Sequence, residues 1–348
     1  MDVEERVRRY ACEVVGDGAL GVINSVVQFG TGDRHAVFKV TYTDRSNGTD
    51  DLVVRVSVLT DAAEREQVAR EAAVLEALEG SAAPRLLDVC CDGRWFDTPV
   101  MCTEFIDGDH RELASATRSE LEALGAVVGS VHARPVGDLA GPLGGLLGGP
   151  RTAAGYLDQW GELVAGYLPK LRQPLPQQVG SGVERALSSV DRILNGPLRG
   201  AWADAGERLV LLHGDVTPGN ILWADRPVLI DWEYARLGDP ADDVAYIFGQ
   251  HGLSAWQRRA FWSGYQHWVQ PRALDRIEGR ARLWEPVILL GSALWWLERW
   301  SARAGVDDVG GADPSVPKPQ SYYLEQAVRR LERFETAAGQ VPKEGGAA

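Results

Sequence analysis

The sequence has little cysteine, no long apolar run and no surplus of basic charge. Its 348 residues include four cysteines, none of which has the spacing of a metal site. The longest apolar stretch, residues 286–297, is too short and too rich in tryptophan to span a membrane. The N-terminal residues 1–10 are charged and lack the apolar core of a signal peptide. These absences predict a reduced, cytoplasmic protein with no membrane partner.

The charge balance also separates classes of partner. The chain carries 36 Lys and Arg against 49 Asp and Glu, which gives a net charge of −13. A protein that binds nucleic acid usually has the opposite sign or a basic stripe, so we predict no nucleic-acid partner. An acidic surface favours cationic ligands but also serves solubility, and the sequence leaves both readings open. No G-x-G-x-x-G motif opens a helix, which argues against a Rossmann-type enzyme.

Hydrophobic periodicity divides the chain into a strand-rich first part and a helix-rich second part. Runs of β-forming residues predict strands over 22–28, 36–43, 52–57, 85–90 and 99–105, with a helix over 61–79. Helical patterns prevail after residue 108, interrupted by a strand–loop–strand unit over 208–231. This order favours an α+β, bilobal, protein-kinase-like fold. We predict a small antiparallel-sheet lobe over 1–105 and a larger, mainly helical lobe over 106–348, with a helical insertion at about 136–205.

Three oxygen-bearing side chains stand beside short apolar runs in the second part. Asp215 follows the run 210–212 in the segment His-Gly-Asp, and Asn220 comes five residues later. Asp231 ends a further apolar run, eleven residues after Asn220. Phosphoryl transfer requires a carboxylate that accepts the proton of the attacking hydroxyl, and hard oxygen ligands for Mg²⁺. Either Asp alone would be interpreted as a turn or helix cap. The combined spacing instead predicts that Asp215 is a catalytic base and that Asn220 and Asp231 bind magnesium.

These segments resemble the aminoglycoside phosphotransferase family, which are small-molecule kinases related to protein kinases. His213-Gly214-Asp215 followed by Asn220 resembles the catalytic loop of that family, and Ile-Asp-Trp-Glu at 230–233 resembles its magnesium motif. The stretch 238–245, Gly-Asp-Pro-Ala-Asp-Asp-Val-Ala, is similar to the segment that normally follows. The resemblance covers roughly residues 20–300. It implies that His213 and Asp243 support the site and do not react.

The resemblance also implies where a nucleoside triphosphate, ATP or GTP, binds as phosphate donor. Gly30 and Gly32 occupy positions of the kinase glycine-rich loop G-x-G-x-x-G-x-V, although His35 replaces the third glycine. On the third strand, Arg55 stands where protein kinases have a phosphate-binding lysine, and Arg is a strong bidentate phosphate donor. Lys39 on the second strand is its competitor.

Two further groups of residues belong to this nucleotide site by resemblance. Glu71, on the helix over 61–79, is the expected ion-pair partner of Arg55; Glu64, Glu66 and Glu76 are alternatives on the same helix. The segment 101–108 resembles the hinge between the lobes. There the backbone of Glu104 and Ile106 is expected to bond the base, with Thr103 at the back of the pocket.

The resemblance implies a small hydroxylated molecule as acceptor. The sequence gives fewer indications of the acceptor site than of the nucleotide site. Glu233 and Asp239 are the preferred acceptor-binding candidates because they are nearest in sequence to Asp231. Further carboxylate candidates are Asp158, Glu162 and Glu285. Seven tryptophans between 256 and 300 either pack helices or stack on a ring of the acceptor.

Three functions remain to be compared. The family resemblance and the acidic charge favour a kinase that inactivates an antibiotic of the aminoglycoside, macrolide, peptide or nucleoside type. The segment Ile-Asp-Trp-Glu-Tyr at 230–234 also resembles choline-kinase-like branches, which keeps a metabolite such as choline, homoserine or a sugar as the alternative acceptor. A nucleotide-binding pseudokinase is the distant alternative, and it is disfavoured because Asp215, Asn220 and Asp231 are all intact.

Overall fold

A computed structural model describes most of the chain. The described residues are 2–16, 22–31, 34–44, 46–78, 80–135, 150, 152–203, 209–303 and 318–341.

The strand-rich first part forms an antiparallel sheet in the order β1-β2-β3-β5-β4. The strands are β1 (Val22–Thr31), β2 (His35–Thr43), β3 (Thr49–Ser57), β4 (Leu86–Cys90) and β5 (Val100–Glu104). Along β3, Leu52, Val54 and Val56 are buried and alternate with less buried residues. Because side chains alternate between the two faces of a strand, Arg55 lies on the face opposite to this apolar row. The predicted strands are confirmed in number and position.

One helix at the N-terminus was not predicted from the sequence. Helix α1 (Val3–Gly16) packs beside the sheet and buries Val7, Tyr10 and Ala11 in the same apolar cluster as Val40 and Val54. The spacing of residues 7, 10, 11 and 14 is that of one helix face. This periodicity was available in the sequence, but the segment was considered only as a possible signal peptide.

Helix α2 (Ala62–Leu78) belongs to the core of the second part rather than to the core of the sheet. Its predicted apolar row, which includes Val68, Leu75 and Leu78, lies in one buried cluster with residues of the helical part such as Leu124. The apolar cluster of the sheet is separate. Because α2 packs against the second part, it can carry a side chain from the sheet side to the catalytic segments. The predicted boundary near residue 105 stays a prediction.

The second part is mainly helical and confirms the predicted α+β class. Its helices are α3 (Arg118–His132), α4 (Ala153–Ala165), α5 (Gln177–Asn195), α6 (Pro197–Ala203), α7 (Pro240–His251), α8 (Ala255–Tyr265), α9 (Pro271–Ala302) and α10 (Gln320–Ala338). Between α6 and α7 lie four short strands, β6 (Val210–Leu212), β7 (Ile221–Trp223), β8 (Pro227–Leu229) and β9 (Arg236–Gly238). They form two antiparallel pairs, β6 with β9 and β7 with β8. Both pairs carry the loops that hold the candidate catalytic residues.

Two glycines allow α3 and α8 to cross at backbone contact. A Cβ placed on Gly125 would lie 2.0 Å from the carbonyl oxygen of Phe261, and one on Gly264 would lie 1.7 Å from that of Glu122. Any side chain at these positions would push the helices apart, because the neighbouring atoms belong to the backbone and cannot rotate away. The crossing fixes α3, and α3 carries His132 towards the site.

We expect Gly264→Ala to destabilise the protein by roughly 3 kcal/mol, because the added methyl group overpacks a backbone–backbone contact. Gly279→Ala in α9 is the matched control, since no atom lies within 4 Å of a Cβ at that position. The control should gain up to about 1 kcal/mol from helix propensity. Urea unfolding of both variants measures the difference, and equal midpoints would show that the two helices can separate without cost.

Candidate active site

The loop after β6 is held by a buried carboxylate on α7. Asp243 accepts hydrogen bonds from the backbone N–H of His213 at 2.8 Å and of Gly214 at 2.9 Å. His132 of α3 contacts the same carboxylate at 3.3 Å. Burial disfavours the charged form, but the hydrogen bond from His132 and nearby positive charge outweigh it and lower the pKa of Asp243 to about 2. Asp243 is therefore ionised, and its negatively charged carboxylate fixes the backbone of the loop.

His213 joins this loop to the segment that carries Asp231. Its Nδ1 accepts from the backbone N–H of Asp215 at 3.2 Å, and its Nε2 donates to the carbonyl of Ile230 at 3.0 Å. These roles define a neutral imidazole with the proton on Nε2. The ring also packs on Trp232, with centroids 4.5 Å apart. His213 thus sets the position of Asp215 relative to Asp231 and contacts both loops through main-chain atoms.

Gly214 is required by the geometry of this turn. Its φ is +84°, a conformation that side chains rarely adopt. A Cβ there would also lie 2.1 Å from Nη1 of Arg236 and 2.5 Å from the carbonyl oxygen of Tyr234. The glycine lets the loop turn sharply, so that Asp215 leaves the buried strand and reaches the surface of a cavity.

Two side chains orient the carboxylate of Asp215. The amide nitrogen of Asn220 donates to its Oδ2 at 2.9 Å and to its backbone carbonyl at 2.8 Å. The hydroxyl of Tyr246 donates to Oδ1. Tyr246 was not predicted from the sequence, although Asp239-Pro240 predicts a helix start and places residues 243 and 246 on one helix face. Asp215 is consequently a fixed carboxylate whose two oxygens each accept one hydrogen bond.

Asp231 follows β8 in a strained backbone conformation. Its φ and ψ are 64° and 66°, the left-handed region that non-glycine residues seldom occupy and that clusters at functional sites. Its side chain is 40% exposed and lies 3.7 Å from Nη1 of Arg55. The next amide, that of Trp232, donates to Oε1 of Glu71 at 3.2 Å. This bond to α2 supports the conformation that turns the carboxylate outward.

Arg55 and Glu71 form the expected ion pair between β3 and α2. Burial disfavours the charged guanidinium, but Glu71 and Asp231 outweigh it and raise the pKa of Arg55. The competitor Lys39 is engaged elsewhere, 2.9 Å from Asp51 and over the ring of Phe105 at 3.9 Å. Arg55, and not Lys39, is the cation beside Asp231.

The remaining predicted nucleotide contacts lie on the sheet. Gly30 is in β1 opposite Val37 of β2, while Gly32 lies outside the described residues. Thr103 and Glu104 end strand β5. The backbone N–H of Glu104 already donates to the carbonyl of Arg85 at 3.0 Å, and its carboxylate accepts from the Arg85 amide at 2.8 Å.

The backbone N–H of Glu104 is therefore already bonded within the protein. Ile106 lies two residues beyond the end of the strand, outside any helix or sheet.

Asp239 is not an acceptor-binding residue, and this prediction was wrong. Its carboxylate is fully buried, accepts from Arg280 and from the indole of Trp284 at 2.9 Å, and caps α7 by accepting from the amide of Ala241. A carboxylate with these donors around it has no position left for a ligand. Sequence proximity to Asp231 misled the prediction, because the intervening strand β9 carries the chain into the core.

Glu233 lies on the sheet side of Asp231. Its carboxylate is 3.9 Å from Arg34, and its backbone carbonyl accepts from Gln67 of α2. Burial, and then repulsion from Asp231, raise the pKa of Glu233 to about 7. Glu233 is absent from the lining of the cavity beside Asp215, and its role in acceptor binding stays a prediction.

A cavity of about 630 Å³ opens beside Asp215. Its wall is largely aromatic and includes Trp160, Tyr167, Tyr234, Trp295, Trp296 and Tyr322. Among the described lining residues, carboxylates come from Glu112 and Asp215 and a guanidinium from Arg330. The described lining of this cavity is therefore richer in aromatic rings than in carboxylates.

The tryptophans of 256–300 divide into three groups. Trp284 and Trp300 are buried in the core and Trp262 is half-buried against it, as expected of residues that pack helices. Trp256 and Trp268 are 43% and 50% exposed. Trp295 and Trp296 line the cavity, where their rings are available to a ligand.

The model of the APH phosphotransferase enzyme family matches residues 19–283. The chain belongs to this family. The match confirms the resemblance drawn from the catalytic motifs. The matched segment includes Asp215, Asn220, Asp231 and Asp243 and ends within α9.

Curated relatives match this chain over part of their length. Acyl-CoA dehydrogenase family member 10 of Mus musculus is 24% identical over 257 residues, which are 70% of this chain and 22% of that protein. Stress response kinase A of Escherichia coli K12 is 28% identical over 129 residues, 35% of each protein. The chain thus spans about a fifth of the first relative and about a third of the second.

Solved structures show the same fold at low sequence identity. A candidate aminoglycoside phosphotransferase of Ralstonia eutropha JMP134 has a TM-score of 0.67 and 16% identity, over 97% of this chain and 99% of that one. The GDP and kanamycin complex of APH(2″)-IIIa has a TM-score of 0.60 and 15% identity, over 95% and 98%. A choline/ethanolamine kinase family protein of Mesorhizobium loti has a TM-score of 0.59 and 20% identity, over 96% and 98%. The predicted protein-kinase-like fold is confirmed.

The oxygen donors of the site fit a magnesium ion shared with a phosphate chain. Within the described residues no group of three or more His, Cys, Asp or Glu side chains forms a metal site. Mg²⁺ bound with a nucleotide needs only one or two protein ligands, because phosphate and water complete its octahedron. Asn220 turns its amide nitrogen to Asp215, which leaves its carbonyl oxygen for a cation, and Asp231 offers an exposed carboxylate.

Within the described part of the phosphotransferase, no helix has both the length and the apolar composition that crossing a membrane requires.

We expect Asp243→Asn to lower the free energy of unfolding at pH 7 by about 2 kcal/mol, since its folded pKa near 2 is below the ordinary 3.8. A depressed carboxyl pKa stabilises the folded state above the unfolded pKa, and this contribution disappears as pH falls from about 4 to 2. The difference in the free energy of unfolding between wild type and variant should therefore become smaller as pH falls over that range. Urea unfolding at pH 7, 4 and 3 measures it, and a difference that stays constant with pH would contradict the role of the Asp243 charge.

Proposed function

We propose that the protein transfers the γ-phosphate of ATP or GTP to a hydroxyl group of a small molecule. The observation that carries the proposal is the fixed carboxylate of Asp215 at the wall of an open cavity, beside Asn220 and near the outward carboxylate of Asp231. A phosphoryl-transfer enzyme needs this combination of a positioned base and hard oxygen ligands. Membership in the phosphotransferase family supports it.

In the proposed reaction the hydroxyl oxygen of the acceptor bonds to the γ-phosphorus as the bond from that phosphorus to the β–γ bridging oxygen breaks. The hydroxyl proton passes to a carboxylate oxygen of Asp215, and the nucleoside diphosphate leaves. Tyr246 and Asn220 hold that carboxylate in place, since each donates to one of its oxygens. Magnesium held by Asn220 and Asp231 would neutralise charge on the phosphates.

Arg55 is placed to receive the phosphate chain from the sheet side. Its pairing with Glu71 fixes the guanidinium, and its 3.7 Å distance to Asp231 puts it beside the proposed magnesium ligand. Gly30 and the backbone of Glu104 and Ile106, with Thr103 behind them, complete the proposed nucleotide site, together with Gly32. His213 and Asp243 support the loop through its backbone.

We propose an antibiotic as the acceptor, with an ordinary metabolite such as choline, homoserine or a sugar as the second candidate. The volume of about 630 Å³ supports an acceptor larger than choline. The fold shared with the kanamycin complex of APH(2″)-IIIa is compatible with the first candidate, and that shared with the choline/ethanolamine kinase family protein is compatible with the second. We further propose that the protein acts in the cytoplasm, where nucleoside triphosphates are available.

A mass-spectrometric panel distinguishes these acceptors. Purified protein with Mg²⁺ and ATP or GTP is incubated with aminoglycoside, macrolide, peptide and nucleoside antibiotics, and with choline, homoserine and sugars. A phosphate-sized mass gain on one antibiotic class is the expected result. A gain restricted to a metabolite would select the second candidate, and nucleotide binding without any transfer would select the pseudokinase.

We expect Asp215→Asn to lower kcat by at least about 100-fold, because a positioned general base contributes roughly 10²–10⁴-fold. Nucleotide affinity should remain close to that of the wild type, since the base contacts the acceptor hydroxyl. Asp225→Asn, in the exposed turn between β7 and β8, removes the same charge away from the site and serves as control. Steady-state kinetics on the acceptor found in the panel measures both, and turnover within about tenfold of wild type would exclude Asp215 as base.

We expect Asp231→Asn to abolish the magnesium-dependent part of nucleotide binding. Asn tolerates the left-handed backbone at this position, so the variant keeps the fold while it loses the anionic ligand. Thermal shift with ATP in the presence and absence of Mg²⁺ measures the effect, again with Asp225→Asn as control. A magnesium-dependent shift equal to that of the wild type would rule out Asp231 as a ligand.

A further inference from the structure

The cavity beside Asp215 contains a guanidinium that has no acidic partner among the described residues. Arg330, on α10, donates to Gln250 and Ser292 through Nε and to Gln326 through Nη1. Among the described residues no carboxylate lies within ion-pair distance of it. Burial lowers the pKa of Arg330 to about 10, which still leaves it charged at neutral pH. A half-buried cation held by neutral groups retains most of its attraction for an anion.

The aromatic wall of the cavity is already faced by cations of the protein. A guanidinium lies within 6 Å of each lining tryptophan: Arg236 at 5.8 Å from Trp160, Arg299 at 4.2 Å from Trp295, and Arg330 at 5.0 Å from Trp296. An aromatic cage binds an ammonium ligand through the electron-rich faces of its rings. The ring of Trp296 already interacts with the Arg330 guanidinium, so a further cation at this ring would meet repulsion.

The acidic groups of the lining do not compensate. Asp215 is reserved for the proton of the acceptor hydroxyl, and Glu112 is exposed. A ligand with several ammonium groups would find no row of carboxylates among the described lining residues. Arg330 supplies the guanidinium of the described lining, so an anionic group of the acceptor is favoured where it meets Arg330.

We propose that the acceptor carries a carboxylate or phosphate group, which Arg330 binds, and a flat ring portion, which packs on Trp295 and Trp296 while its hydroxyl reaches Asp215. This inference rests on the proposed function, because it assigns the cavity to the acceptor. Arg330 acts as a specificity-determining residue and takes no part in the transfer itself. The choice of an oxyanion follows from the bidentate geometry in which guanidinium binds carboxylate and phosphate.

Three probes with the same ring and the same hydroxyl test the charge preference. They are 4-(hydroxymethyl)benzoate, its methyl ester and 4-(hydroxymethyl)benzylamine, which place an anion, a neutral group and a cation at one position. Isothermal titration calorimetry at pH 7.5 without nucleotide measures their binding. We expect the carboxylate to bind at least about tenfold more tightly than the ester, and the amine to bind most weakly. Equal binding, preference for the amine, or no binding of the carboxylate at millimolar concentration would overturn the proposal.

Variants in α10 test whether Arg330 is the residue that causes the preference for the carboxylate. Arg330→Met should remove the advantage of the carboxylate over the ester, and Arg330→Lys should keep part of it. Arg329→Met is the matched control, because it removes the same charge from the exposed side of α10, where Arg329 pairs with Glu325. Thermal melting verifies that all three variants fold. If Arg330→Met does not fold, Arg330→Lys still tests the proposal. A carboxylate preference unchanged in Arg330→Lys and Arg330→Met, or lost equally in the control, would contradict the role of Arg330.

A parallel transfer assay separates this inference from the proposed function. The same probes are incubated with Mg²⁺ and ATP, and phosphate gain is measured by mass. Binding that prefers the carboxylate without any transfer would contradict the kinase assignment of the cavity and leave the anion site standing. Equal transfer to the amine and the carboxylate would contradict the anion site and leave the kinase standing.

Discussion

The catalytic loop depends on one buried anion. Asp243 accepts the backbone amides of His213 and Gly214, and it is itself contacted by His132 from α3. A carboxylate that holds main-chain atoms fixes a loop more firmly than one that holds side chains, since the backbone has fewer ways to relax. The close crossing of α3 and α8 belongs to the same arrangement, because it determines how far α3 reaches towards Asp243. The side chain of Asp215, which we propose as the base, is thereby positioned through the backbone of its own loop.

A second chain of contacts joins the sheet to the loops of the helical part. Arg55 of β3 binds Glu71 of α2, and Glu71 accepts from the amide that follows Asp231. Helix α2 packs into the helical core, so the position of the sheet is transmitted to Asp231 through one glutamate. A displacement of α2 would move Glu71 and therefore disturb both groups that Glu71 holds, Arg55 and the backbone that follows Asp231. The nucleotide-facing cation and the proposed metal ligand are in this way positioned by a single helix.

The loops around Asp215 and Asp231 could be predicted from the sequence and the cavity beside Asp215 could not, for a physical reason. Asp215, Asn220 and Asp231 sit in short loops whose spacing is set by local strands, so linear distance predicts spatial proximity. The cavity is assembled from α4, α7, α9 and α10, which are far apart in sequence, and no local pattern reveals such a wall. Asp239 shows the failure directly, since eight residues beyond Asp231 the chain is already in the core. Tyr246 was predictable from helix periodicity. Arg330 was not, because its significance lies in the absence of a carboxylate partner among the described residues, and no local pattern reveals such an absence.

The position of the cavity wall along the chain has an evolutionary consequence. The match to the family model ends at residue 283, before Trp295, Trp296 and the whole of α10. The residues that we propose to perform the transfer and the far side of the cavity therefore lie in different stretches of the chain. Substitutions in the last stretch can alter which molecule is accepted while every group around Asp215 and Asp231 is preserved. Divergence of substrate in this lineage thus requires no change in its chemistry.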